Sequence, residues 1–177
     1  MNTITDDIKT FLYKSTTQEF LNSAQNFINL LENENLTLKE FMISCHSILL
    51  ELYTCGHNFD EIELKYSDVH SRNEVKIKFE NRNKSIISKL NENEFYWEVF
   101  DPINPDMESE PVKGSLSDDL SDIYHDLKIE LEKINTNTNE AIEDAFWQMK
   151  FSFRNHWGNH YIDALRALHY LCYETIK

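Results

Sequence analysis

Glycine, proline and cysteine are all scarce: the 177 residues contain three of each. The glycines, Gly56, Gly114 and Gly158, lie far apart. A Walker loop, a dinucleotide-binding turn and a nucleophile elbow each need glycines a few residues from one another, so all three are excluded. Cys45, Cys55 and Cys172 are an odd number, form no CxxC pair and lack zinc-ribbon spacing, and they read as reduced thiols. Positive charge is also in deficit. Lys and Arg number 17 against 31 Asp and Glu, a formal net charge of -14. That balance repels phosphate backbones and anionic lipid, which argues against nucleic acid or a membrane surface as partner and favours encounters with a basic protein. No apolar run approaches the ~18 residues that would mark a membrane-spanning helix. The opening MNTITDDIKTFLYK has acidic residues where a signal peptide needs basic ones and lacks an apolar stretch. The expectation is a soluble, acidic, cytoplasmic protein. Its length suits one helical domain over residues 1–177, able to bury a core without disulfides or metals.

What the chain does have is helical periodicity. From Thr16 to Glu34, Phe20, Ala24, Phe27, Ile28, Leu30 and Leu31 recur at three- and four-residue steps, with Thr16 or Thr17 as the expected cap and Glu19 near the reciprocal position. Thr37 with Glu40 three residues on signals a second helix through Phe41, Cys45, Ile48, Leu49, Leu52 and Tyr53, expected to stop at Gly56. These two read as an antiparallel hairpin. Between His57 and Arg82 the pattern fits a strand (Val75, Ile77, Phe79) or a charged helix equally well. Ile86, Ile87 and Leu90 suggest a short helix, followed by the aromatic FYWEVF and a turn at Asp101-Pro102. Pro105 and Pro111 frame an acidic loop carrying Asp106, Glu108 and Glu110.

GSLSDDL opens the next helix, where Ser115 or Ser117 can cap and Asp118 and Asp119 favour the positive end of the helix dipole. Leu116, Leu120, Ile123, Tyr124, Leu127, Leu131 and Ile134 form its apolar stripe. The last segment, from about Asn139, is one long helix or two joined near Gly158. It carries Ala145, Phe146, Trp147, Met149, Phe151, Phe153 and Trp157, apolar nearly all round, which places it at the centre of an all-α multi-helix bundle.

Three stretches, YWEVFDP (Tyr96 to Pro102), EPVKGSLSDDLSDIYHDL (Glu110 to Leu127) and FRNHWGNHYIDALRALH (Phe153 to His169), together resemble a bacterial domain-of-unknown-function family, the one numbered 5063. The N-terminal hairpin is similar to it in layout. The resemblance implies an all-helical fold and carries no chemistry with it.

One constellation could carry chemistry. At 100° per residue, Asp119, Asp122 and Asp126 share a narrow arc beside the apolar stripe, and His156 and His160, four apart, share a side of a continuous last helix with Phe153, Ala164 and Ala167. Both histidines are then expected to be largely buried. Two histidines at i and i+4 can converge on one divalent metal, with Asp122 or Asp119 completing the protein ligands and a position left for water. HWGNH lacks the glutamate of the zinc-protease motif, and Asp122-Ile-Tyr-His125 is a lone carboxylate-x-x-histidine where di-iron bundles use two glutamate versions. The alternative is a structural network in which Asp119, Asp122 and Asp126 accept hydrogen bonds from His156, His160, Arg154, Arg166 or the Trp157 indole.

Weaker candidates have simpler readings. Cys45 and His46 are adjacent on a helix, about 100° apart, which suits a core thiol better than a nucleophile and its base. Asp118 is accounted for by the helix dipole. Tyr96, Trp97 and Phe100 fit a core corner beside a proline turn, or the wall of a ligand pocket. Two functions follow: a noncatalytic interaction module whose acidic surface meets a basic partner protein, or a metal-dependent hydrolase or metal-binding sensor built on His156 and His160 with Asp119 or Asp122.

Overall fold

The computed structural model describes residues 4–67, 88–99, 103 and 110–175. The strand-or-helix stretch inside 57–82 lies outside them from residue 68 on, as do Ile86, Ile87, Phe100, Asp101-Pro102 and most of the acidic loop, Asp106 and Glu108 included.

The fold is all-α, with one small β-ribbon among the described residues. Helix α1 spans Asp6–Leu12, α2 Ser15–Glu32 and α3 Leu38–Asn58. Their apolar spacing puts Phe20, Ala24, Phe27 and Ile28 of α2 and Phe41, Cys45, Leu49 and Leu52 of α3 into the core. The Thr37–Glu40 capping box forms as its sequence predicts: the Thr37 hydroxyl accepts from the Glu40 backbone N–H and the Glu40 carboxylate accepts from that of Thr37. Two expectations fail here. The N-cap of α2 is Lys14, with no side-chain cap; Thr16 is turned to Asp60 and Thr17 is buried. And α3 passes through Gly56 to Asn58, because Lys150 donates to the carbonyls of Gly56 and His57 and so satisfies the helix end beyond the glycine.

Residues 88–90 are helical and run into a 3-10 turn at Asn91–Asn93, where Asn91 takes a positive φ of 50°. Strand β1 (Phe95–Glu98) pairs antiparallel with β2 (Val112–Ser115), with Tyr96 opposite Gly114 and Trp97 opposite Lys113. Helix α4 follows directly (Leu116–Asn135), capped by Ser115. Leu116, Leu120, Ile123, Tyr124 and Leu127 are buried along its stripe, with Leu131 and Ile134 partly so. Helix α5 (Asn139–Asn155) is capped by Thr138, and α6 is Trp157–Tyr170, ending in a π-helical turn at Leu171–Thr175. No helix among the described residues is long and apolar enough to cross a membrane.

The last segment is therefore two helices. The backbone leaves helical geometry at His156, with φ -142° and ψ -91°. Helix α6 is central, packed on α3, α4 and α5, and Trp157 and Tyr161 are its largest buried side chains. Helix α5 is less apolar than expected: Ala145, Phe146 and Met149 are buried, whereas Phe151 is exposed and stacks on Trp147 along its outer side.

Between α4 and α5, Lys133 bridges Glu130 (2.8 Å) and Asp144 (2.8 Å). Burial lowers the proton affinity of Lys133, and its bonds to the two carboxylates more than reverse this, so the ammonium stays charged. Burial pushes the Glu130 carboxyl up from 4.5 to about 7 despite Lys133. A carboxyl whose folded pKa is raised holds its proton more tightly in the native state, so its contribution to stability is full below pH 4.5 and lost as the pH rises to about 7. Glu130→Gln should flatten this fall, worth roughly 3 kcal/mol between those limits. Urea unfolding at pH 5 and pH 8 checks it; an unchanged pH difference in the variant would refute the assignment.

Candidate metal centre

Helix α4 turns Asp119, Asp122 and Asp126 toward α6, since residues three and four apart share a helix face. Ser115 sets where that helix begins, and β1 lies beside its first turns. The opposing histidines sit at the start of α6. His156 Nδ1 is 2.8 Å from an Asp126 oxygen and His160 Nδ1 is 2.8 Å from Asp119 Oδ1. His160 Nε2 lies 3.4 Å from Asp122 Oδ2, and the two imidazole rings meet edge to face at 5.0 Å. One ligand atom from each of Asp122, His156 and His160 can be chosen so that all lie within 4.8 Å of one another.

Asp119 is the buried member, and Tyr96 from β1 donates its hydroxyl to Oδ2. With its two oxygens taken by Tyr96 and His160, Asp119 supports the histidine rather than joining the cluster. The hydrogen bond to Asp119 raises the His160 pKa above its ordinary value against the opposing pull of burial. Burial raises the Asp122 pKa, partly offset by His160. Beside them burial, with Glu98 next, pushes Asp163 up to about 6.

Two scarce glycines shape this place. A Cβ at Gly114 would stand 2.5 Å from the Tyr96 ring, so glycine there lets Tyr96 cross β2 to reach Asp119. A Cβ at Gly158 would stand 1.9 Å from the Phe153 carbonyl oxygen, so glycine there lets the start of α6 close onto the end of α5.

The family described as a domain of unknown function, DUF5063, matches residues 11–174, a span that includes all three stretches noted in the sequence. The chain belongs to DUF5063. It is also similar in structure to the crystal structure of protein BF1032 from Bacteroides fragilis, with a TM-score of 0.74 and 23% identity over 93% of this chain and 96% of that one. At that identity the likeness is one of fold. None of the curated proteins matches the chain.

Several expectations for this DUF5063 chain need correction. The expected burial fails for His156, whose side chain is 50% exposed where the helix breaks, while that of His160 is 29% exposed and so mostly covered. Three proposed donors do not meet the aspartates. Arg154 pairs with Glu61, Arg166 donates to the Trp97 carbonyl at 2.9 Å, and the buried Trp157 Nε1 finds no partner among the described residues. As expected for a core thiol, Cys45 is fully buried, its pKa raised by burial, while His46 meets the His169 ring at a tilt and the Tyr173 ring edge to face. Asp118 stays exposed in the first turn of α4, its N–H bonded to Ser115. The role of Tyr96 toward Asp119 had no signal in spacing, since strand and helix meet only in the folded chain. That of Asp163, three residues beyond His160, could have been read from the helix period.

Proposed function

We propose that this protein binds one divalent transition-metal ion through His156, His160 and Asp122. The observation that carries the reading is the orientation of the two imidazoles. Each points Nδ1 at a carboxylate, Asp126 or Asp119, while His160 Nε2 lies 3.4 Å from Asp122 and a ligand atom of His156 lies within 4.8 Å of both. Metal-bound histidines are typically held this way, their second nitrogen donating to a carboxylate that fixes ring and tautomer. Tetrahedral bonds of about 2.0–2.1 Å put ligand atoms roughly 3.4 Å apart, a spacing reached by small side-chain rotations here. Two histidines and one carboxylate leave coordination positions for water, and half-exposed His156 puts them on the solvent side. Such an ion could activate that water or sense an added ligand.

Calorimetric titration of chelator-treated protein with Zn(II), and with Co(II) read by its visible absorption, tests this. Saturation at one ion per chain is expected. His160→Ala should abolish tight binding, and Asp126→Asn should weaken it about 10- to 100-fold. An unaltered circular dichroism spectrum must accompany both. Zinc affinity that ignores both substitutions, or no saturable binding, would return these groups to a purely structural network.

The net charge of -14 favours a second reading, a noncatalytic module whose acidic surface meets a basic partner protein. Association with such a partner would weaken steeply with salt.

A further inference from the structure

The groove between β1 and the C-terminal half of α6 encloses about 390 Å³. Phe95, Tyr96, Trp97 and Tyr170 line it, and Arg166 is the one charged side chain among its lining residues. In an antiparallel ladder alternate residues turn their backbone groups to the partner strand. Glu94 accepts from Leu116 on the β2 side, so Phe95 and Trp97 turn theirs to the opposite edge, into the groove. Arg166 meets that edge by donating to the Trp97 carbonyl at 2.9 Å, which uses one of the five N–H donors of a guanidinium and holds its planar fork in place.

We infer that this groove binds a planar aromatic carboxylate of small-molecule size, its ring among the aromatic side chains and its carboxylate on the Arg166 fork. Volume, wall chemistry and charge agree on this ligand. Small-molecule sites are clefts of roughly 300–1,000 Å³ with mostly apolar walls and a few placed polar groups. Flat rings match aromatic walls by offset or edge-to-face contact, and a pre-positioned guanidinium matches a carboxylate through paired hydrogen bonds that an amide cannot make. A cationic ligand is opposed by Arg166. A peptide strand adding to β1 would have to displace Arg166 from the Trp97 carbonyl, the group that covers this edge. The inference does not depend on the metal reading, since no lining residue is among Asp122, His156 and His160.

The probe is 2-naphthoate, titrated against the full chain with Trp fluorescence and calorimetry as readouts. One saturable site is expected, with binding at least tenfold weaker for the uncharged 2-naphthamide and for Arg166→Gln. Tyr170→Ala, at an exposed position, should weaken both probes alike, and it keeps the test decisive if Arg166→Gln does not fold. Equal affinity for acid and amide, or naphthoate binding unmoved by both variants, would overturn the inference. So would a dimer in solution that buries Trp97 and excludes naphthoate, which would give the groove to a second copy of the chain.

Discussion

Gly158→Ala is expected to lower the melting temperature by about 2–12 °C, from an overpacking cost of roughly 1–3 kcal/mol in a chain of this length. The added Cβ would sit 1.9 Å from the Phe153 oxygen and 3.0 Å from its carbonyl carbon. Those are backbone atoms, and no side-chain rotation moves them aside. The start of α6 must therefore back away from the end of α5. His160 is two residues beyond Gly158, so the same displacement opens its 2.8 Å bond to Asp119 and its 3.4 Å approach to Asp122. Thermal unfolding followed by circular dichroism measures the first effect, and zinc titration of the folded variant measures the second. An alanine variant that melts with the parent would show that the helix junction is not held by this contact.

Glu143→Ala is expected to destabilise the protein by about 2–4 kcal/mol, because hydrogen bonds to a charged group contribute about 1.5–3 kcal/mol each and the released amides recover part of that from water. The side chain is fully buried, and its carboxylate accepts the backbone N–H groups of Lys65, Tyr66 and Ser67, each at 2.7 Å, together with the Ser67 hydroxyl at 3.0 Å. One side chain on α5 thus takes up three main-chain donors of an irregular segment, whose residues 65 and 66 also reach Asp7 and whose earlier residues Asp60 and Glu61 pair with Lys14 and Arg154. The variant should also become open to trypsin after Lys65. Glu143→Gln, which keeps the shape but brings donors toward donors, should fall between parent and alanine. Parent-like urea unfolding and protease resistance in Glu143→Ala would show that the segment is anchored elsewhere.

The elements that were legible in the sequence are those whose cause is local. The stripes of α2, α3 and α4 follow from apolar residues every three or four positions, and the Thr37–Glu40 box closes within one turn. The direction of Asp119, Asp122 and Asp126 was legible for the same reason, since three residues within eight positions on one helix have their relative angles set by its pitch. The ribbon was not. Each strand is four residues long, and their pairing joins Phe95 to Ser115 across a connection whose closure no periodicity records. The break at His156 was legible only as one of two alternatives, a continuous helix or two joined near Gly158; what a Cβ at Gly158 would meet, the Phe153 carbonyl, is a fit between two helices that no local pattern records. The expected burial of His156 failed with that break, since the continuous helix had supplied it.

By itself, then, the order of amino acids determined the longer helices α2, α3 and α4 and the faces they bury, which loop-making and phosphate-binding devices are absent, and that three aspartates line one edge. Only the folded chain decided which polar group each of these meets: His160 and Tyr96 for Asp119, Glu61 for Arg154, the Trp97 carbonyl for Arg166. The division has a physical origin. Helix pitch and capping act over three or four residues, whereas a side-chain hydrogen bond selects whatever donor or acceptor packing brings within about 3 Å, from any distance along the chain.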